Sequence, residues 1–360
     1  MTLTITEDTL KHRQVYNLLV RELSGNRFQP GEKLPSERDF AERLEVNIRT
    51  VRRAFRDLVL GGIVEKRVGS GTYLRRQLDS SWHDRTINVV LGNGYDGTVQ
   101  HMIETAVRKV CDRRQRQYRI IYQDKGELPN LIGSCISYRQ PTILCLNDLD
   151  GVARIFEAPE LFVAFSSMIY RQGIPCVQCD DTKGIRMLIE HLHGLGHRRI
   201  AFLHLNNVTG DGLPELQAAV WSSALGRDFD PALKLVIANT DGYCMEQAFQ
   251  TVSAALKTTA FSALLCTTDV LMYGAMGALR EAGKRIPEDL SVVSIGNTQL
   301  SWFACPPVTC YDPNIEAHVE KAIGLLDFNH DNPGQIEKLR LIEPQLIIRK
   351  STAQHKEQKS

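Results

Sequence analysis

The apolar positions of the first 74 residues recur mostly at helical spacing, whereas those beyond residue 86 come in short runs separated by amphipathic stretches. In residues 9–26, Leu10, Val15, Leu18, Leu19 and Leu23, with Arg21 among them, predict one helix. Phe28-Gln29-Pro30-Gly31-Glu32 stops it with a turn. Leu34-Pro35-Ser36-Glu37-Arg38-Asp39 then reads as a helix start, with Ser36 as cap and Asp39 as first-turn acid, running through Phe40, Ala41 and Leu44. A third helix follows Glu45-Val46-Asn47, with Asn47 as cap and Val51, Ala54, Phe55, Leu58 and Val59 as its buried stripe. Arg49, Arg52, Arg53 and Arg56 fall on the face away from that stripe. Gly61-Gly62 ends the helix, and residues 63–67 and 72–74 predict two short strands around the tip Val68-Gly69-Ser70-Gly71.

Residues 75–86, RRQLDSSWHDRT, are polar and aperiodic and predict a connector. Beyond it the pattern predicts strand 87–91, helix 98–114, strands 118–122 and 142–146, a helix ending near Arg171, and strand 174–178. A second lobe repeats the rhythm: helix 182–194, strand 199–205, helix 214–225, strand 234–238, helix 243–256, strand 263–266, helix 270–282, strand 291–295 and a last crossing near 308–311. Such βαβ alternation gives parallel sheets covered on both faces, whose ligands bind at the carboxyl ends of the strands.

Composition changes this picture only where it is divided. The 360 residues are 43% hydrophobic and 24% charged, with a net charge of +1, which suits an ordinary globular chain of two domains if a two-lobed unit counts as one. Residues 1–78 hold 15 Lys and Arg against 10 Asp and Glu, leaving 28 against 32 for the rest. Basic charge is thus concentrated at the front, as a nucleic-acid reader requires. The N-terminus lacks the basic start, apolar centre and cleavage site of a secretory signal, and no run is long enough to span a membrane, so a cytoplasmic protein is expected.

Nine cysteines, from Cys111 to Cys310, suit free thiols in a reducing compartment. The C-x-x-C of Cys176 and Cys179 lies in a strand-like stretch where positions three apart face opposite ways, which argues against a metal or redox pair. His191, His193 and His197 stand at offsets of two and six, not the i, i+4 spacing of a helical metal site. With no P-loop, G-x-S-x-G or H-E-x-x-H, the expectation is a protein without catalysis, metal or cofactor.

The stretch LPSERDFAERLEVNIRTVRRAFRDLVLGGIVEKRVGSGTYL closely resembles the winged helix-turn-helix of GntR-type regulators, with cap, turn, recognition helix and wing in order. The resemblance implies DNA contacts from the PSER arginine, the start of the third helix and the glycine-rich wing. Those roles fall on Arg38, Asn47, Arg49, Thr50, Arg52, Arg53, Arg67, Gly69, Ser70 and Gly71. One departure is the Asn47-Ile48 pair where the family usually has Ser/Thr-Arg. Either Arg49 restores the charge one position later or Ile48 meets a thymine methyl, and the operator is expected to differ from the usual family site.

HLHGLGHRRIAFL, GALREAGKRIPEDLSVVSIGN, CPPVTCYDPN and PQLIIRKST resemble landmarks of the LacI-type, periplasmic-binding-protein-like sensor, over residues 86–352. The whole resembles an arabinose-repressor style of chimera. It implies an α/β fold: a DNA-binding domain at 8–76, a linker at 77–86 and a two-lobed parallel-sheet domain at 87–352. It also implies a small-molecule effector in the cleft, contacted by Tyr95, Asp96, Gln217, Asp269 and Asn297. Gln217 replaces an arginine, and Gly296-Asn297 replace a pair of aspartates, so a charged pocket becomes a neutral amide one suited to a sugar or other polyhydroxyl metabolite. Double-stranded operator DNA, the effector and a second copy of the chain are the expected partners, with no membrane. The rival readings are a sensor that has lost its ligand and only dimerises, an aminotransferase-like fusion enzyme, and a transport binding protein.

Overall fold

The computed structural model describes residues 28–60, 63–67, 69–75, 85–92, 97–123, 125–146, 153–165, 173–206, 213–237, 244–332 and 334–355, together with 15, 16, 18, 19, 22 and 23. The last six are helical, with Val15, Leu19 and Leu23 buried at i, i+4, i+8. Leu18, expected in that stripe, is instead 42% exposed, because it stands one position off the row that meets the core. Leu10 and Arg21 lie outside the described residues.

Helix α1 spans Glu37–Arg43. Ser36 accepts from the Asp39 amide and Asp39 accepts from the Ser36 amide, a reciprocal capping box that satisfies two amides no helical carbonyl can reach. Helix α2 spans Ile48–Leu60. Asn47 caps it as expected, its Oδ1 accepting from the Arg49 amide at 2.8 Å. Val51, Ala54, Phe55 and Leu58 are fully buried, and Phe55 packs on Phe40 with ring centroids 5.3 Å apart. Val59, read as part of the stripe, is 36% exposed and flanks it. Strands β1 (Val64–Arg67) and β2 (Gly71–Leu74) pair antiparallel with Arg67 opposite Gly71. Gly71 therefore belongs to the ladder, and the tip is one residue shorter than the sequence pattern suggested. Residues 31–34 run along the other side of β2, through Gly31 to Leu74 and Leu34 to Thr72 hydrogen bonds.

The rest forms two six-stranded sheets. The first lobe has β3 (Ile87–Gly92), β4 (Tyr118–Gln123), β5 (Thr142–Cys145), β6 (Phe162–Phe165), β7 (Cys176–Cys179) and β13 (Leu339–Ile342), all parallel in the order β13-β7-β6-β5-β3-β4. Helices α3 (Gly97–Arg114), α4 (Leu128–Ser137) and α10 (Ile315–Asp331) cover it. The second lobe orders its strands β14-β12-β11-β10-β8-β9: β8 (Ile200–Leu205), β9 (Lys234–Ile237), β10 (Ala263–Cys266), β11 (Ser291–Ile295), β12 (Thr309–Asp312) and an antiparallel edge, β14 (Gln345–Ile347). Its helices are α5 (Asp181–Gly194), α6 (Leu213–Leu225), α7 (Cys244–Thr258), α8 (Asp269–Glu281) and the short α9 (Gln299–Phe303).

Two expectations in the first lobe change. The segment between strands 118–122 and 142–146, for which the pattern predicted no element, holds the crossover helix α4. The helix expected to end near Arg171 falls on residues 166–172, outside the described residues; ahead of it, single turns at 153–157 and 159–161 lead into strand β6, for which the pattern predicted no strand. The run FVAF is buried on both faces like β3 and β5, but single turns rather than an amphipathic helix lead into it, so the strand–helix rhythm that marks the other strands is missing there.

The lobes exchange chain three times, at 180, 312–314 and 343–344, and polar bonds join these crossings. The Asp180 amide donates to the Ile342 carbonyl, Lys183 pairs with Glu343, and the Tyr311 hydroxyl donates to Asp181 Oδ1 at 2.6 Å. Gly184 carries no Cβ because one would stand 2.6 Å from the Tyr311 ring. Cys176 and Cys179 are free thiols in strand β7, and burial pushes the Cys176 thiol up to about 12.

Candidate functional site

The reader presents one basic surface. Arg49, Arg52, Arg53 and Arg56 are all exposed on α2, since the stripe that faces Phe40 fixes which side of the helix meets solvent. Thr50 differs: it is 9% exposed and stands beside Val51 at the core boundary. Ile48 is half-buried and packs on the same core, so the residue that departs from the usual pattern anchors the start of the helix.

Arg38 is exposed and pairs with Glu42 one turn on. In the wing, Gly69 (φ 73°) and Gly71 (φ 121°) adopt backbone that side chains resist. Tyr73 holds both polar wing residues. Its ring lies 4.2 Å below the Arg67 guanidinium, and its hydroxyl is 2.6 Å from Ser70 Oγ. Arg67 also donates to Glu65. Glu37 and Lys66 belong to this surface although nothing in their spacing marks them. Glu37 Oε2 accepts from Arg52 Nε at 3.3 Å, and its Oε1 accepts from Lys66 Nζ at 2.6 Å.

In the sensor, Asp181, Asp269 and Asn297 follow the carboxyl ends of β7, β10 and β11, where parallel sheets present their binding groups. Tyr95 and Asp96 lie outside the described residues. Asp269 begins α8 behind its cap, Thr268, and is 3% exposed. Its oxygens accept from Ser294 Oγ and from the Thr298 amide at 2.7 Å. Burial raises its carboxyl above the ordinary range, opposed by the Ser294 and Thr298 hydrogen bonds that favour the anion. Gly296 makes this closure possible: with φ 147°, a Cβ there would stand 2.8 Å from Asp269 Oδ2.

Asn297 adopts φ 67°. Its Nδ2 donates to Asp312 Oδ2 at 2.9 Å, while its Oδ1 accepts from the Arg349 guanidinium, which lies 4.7 Å over the Trp302 ring. Asp312 in turn accepts from the Asn314 amide on a crossing between the lobes. Gln217, 8% exposed on α6, stands near enough to Asp181 to favour its anion. Desolvation raises the Asp181 carboxyl, against the bond from Tyr311 and the nearby Gln217 amide. The three described cleft candidates are thus tied to three separate sets of partners. Asp181, Tyr311, Asp312 and Arg349 were not singled out from the sequence, although the DD and YDPN segments that carry two of these acids mark the crossings. His191 on α5 bonds Thr352, and His197 bonds Ser262 and the Ala353 carbonyl, so both hold residues 352 and 353 in place.

Residues 11–74 match the bacterial regulatory proteins of the gntR family, and residues 189–352 match the periplasmic binding protein-like domain. The arabinose metabolism transcriptional repressor of Geobacillus stearothermophilus is 26% identical over 96% of this chain and 99% of its own length. An uncharacterized HTH-type transcriptional regulator in the aml 5' region of Streptomyces limosus is 31% identical over 56% of this chain, which spans only 57% of that protein. Among solved structures, a LacI family transcriptional regulator from Enterococcus faecium with bound ribose superposes with a TM-score of 0.62 at 19% identity, over 76% of this chain and all of that one. The chain joins a gntR-type winged-helix domain to a LacI-type, periplasmic-binding-protein-like domain. In this arrangement the chain is similar to transcription regulators over nearly its whole length.

Proposed function

We propose that the protein is a cytoplasmic repressor that binds operator DNA as a homodimer and is controlled by a small neutral polyhydroxyl molecule held between its sensor lobes. The observation that carries this reading is the exposed arginine face of α2, with the wing beside it, on a chain whose remaining sheets form two lobes joined by three crossings. Arg38, Arg49, Arg52, Arg53 and the wing residues Arg67 and 69–71 are the DNA contacts, with Asn47 at the start of the recognition helix. Thr50, at the core boundary, contributes its backbone. The reader occupies 8–76, the connector 77–86 and the sensor 87–352. The name of the nearly full-length relative supports repression.

For the effector, Gln217 and Asn297 offer amides that both donate and accept, as hydroxyls require, with Tyr95 and Asp96 from the first lobe. Asp269 acts from beneath by fixing the turn that presents Asn297. Ligand that prefers the closed lobes shifts the separation of the paired readers, and so their fit to half-sites about 34 Å apart. The test is an operator-fragment titration at fixed salt. Arg52→Ala is expected to weaken binding by roughly tenfold or more, and unchanged affinity rejects the assignment of the reader surface.

A second reading has an observation of its own: Asp269 and Asn297 already bond inside the lobe, as they would in a sensor kept only for dimerisation. A thermal-shift screen of the full-length protein against sugars decides between the two. A stabilising sugar supports effector control, and a clean absence of shifts moves the assignment to the dimerisation platform.

A further inference from the structure

The carboxylate of Glu37 stands among the cations of the DNA-reading surface, where its charge should weaken attraction to phosphate. It bridges three elements, since it belongs to α1, takes Arg52 of α2 on one oxygen and takes Lys66 of the wing on the other. Its side chain is only 19% exposed, against 61% for Arg52 and 52% for Lys66. Ion pairs between exposed side chains contribute about 0–1 kcal/mol to stability, so holding the reader together is a weak reason for an acid at this place.

The atoms it contacts suggest a stronger one. Glu37 engages Nε of Arg52, so on this exposed side chain the two terminal nitrogens of the guanidinium remain available as a fork. A fork of this kind reads O6 and N7 of guanine bidentately, and its value depends on being held in the right plane before it arrives. We propose that Glu37 is a specificity-determining residue of the reader, acting through Arg52 by fixing the plane of its guanidinium, while the shared bond to Lys66 sets the wing against the same helix. The proposal rests on the reading of this surface as the operator contact. Discrimination between sequences then depends on an acid that lowers affinity for DNA in general.

The experiment uses the full-length protein and two duplexes of equal length at one salt concentration: one recovered by repeated selection from random duplexes with the wild-type protein, the other its scrambled sequence. Failure of the wild-type protein to enrich any duplex overturns the operator reading itself, before any variant is compared. Glu37→Gln is expected to bind the scrambled duplex more tightly than wild type and to lose about tenfold in the ratio of selected to scrambled affinity. Arg52→Lys keeps the charge but lacks the fork, and should lower the same ratio. Adding Glu37→Gln to Arg52→Lys should change the ratio no further. Two results overturn the proposal: a ratio unchanged in Glu37→Gln, which leaves the acid a general repulsion of phosphate, and an equal loss in the Arg52→Lys background, which separates Glu37 from Arg52. Should Glu37→Gln unfold the reader, Glu37→Asp with the same pair of backgrounds answers the question by the same ratio.

Discussion

The reader and the sensor handle their polar side chains in opposite ways. On α2 the arginines stand exposed, and the elements beneath them are fixed by apolar contacts such as Phe40 against Phe55. In the cleft Asp269 is buried and bound to Ser294 and Thr298, Asn297 is bound to Asp312 and Arg349, and Gln217 is buried beside Asp181. A surface that must meet a polyanion can leave its charges in water, where they cost little. Buried polar groups in a cleft need partners whether or not a ligand is present. Chemistry on a surface can therefore be read from local periodicity, and chemistry in a cleft cannot.

The largest expected effect tests whether the two regions are separable. Phe55→Ala removes a fully buried ring from the small core of the reader and should cost about 3–5 kcal/mol. In calorimetry one unfolding transition is expected to fall while a second, from the sensor sheets, stays in place, with operator binding lost. If both transitions fall together, the regions unfold as one unit and the contrast between them fails as a statement about energetics.

Acid should strike the sensor next. His318 on α10 is 6% exposed, packs edge-to-face with the Phe165 ring and sits against the Asn314 carbonyl. Desolvation dominates, with Lys321 adding to it and the Asn314 bond opposing, and brings its pKa down from 6.5 to about 4. The unfolded chain therefore binds this proton more readily than the native one. Stability from His318 is complete above 6.5 and is lost as pH falls from there to about 4, by roughly 3 kcal/mol in all. Burial lowers His191, His193, His197 and His204 in the same direction, whereas the raised carboxyls of Asp181 and Asp269 oppose it. Denaturant titrations between pH 7 and 4.5 should show a shallower loss for His318→Gln than for wild type. An unaltered slope removes His318 from the account.

Gly296→Ala probes the closure around Asp269. The new Cβ meets Oδ2 in backbone that side chains rarely adopt, which should cost about 1–3 kcal/mol and displace Asn297 beside it. The expectation is a lowered sensor transition with operator affinity of the ligand-free protein kept. An unchanged melting temperature would mean that Asp269 can swing aside at no cost.

How much was legible follows the same division. Ser36 and Asn47 could be read as caps because a cap acts within three residues of itself. The sheets could be read where buried strands alternate with amphipathic helices and leave a rhythm; that rhythm is missing at FVAF, entered from single turns, and at the short strands β13 and β14, which follow each other with no helix between. Asp269 could be placed at the head of its helix, but not its hold on Ser294 and Thr298, which are 25 and 29 residues away. Nothing in the spacing of Arg349 and Asn297, 52 residues apart, announces their bond. Glu37 was passed over because a first-turn acid already has a sufficient reason in the helix dipole.

The smallest effect concerns Asn47, which carries two proposed roles on one side chain. Its Oδ1 accepts from the Arg49 amide, and by resemblance to the family it also meets DNA. Asn47→Ala removes both and should cost about 1 kcal/mol of reader stability, the usual value of a lost cap. Asn47→Ser restores the cap, since a serine hydroxyl accepts from the same first-turn amides, but it lacks the amide that pairs bidentately with adenine. If Asn47 only caps, the serine variant binds the selected duplex as wild type does, and Ile48, packed on the core, completes the anchoring of the helix. If it also reads a base, affinity falls in the serine variant while the melting temperature returns. The second outcome would give the start of α2 the cleft's habit of using one amide for structure and recognition together, and would narrow the contrast between the two regions to the arginines alone.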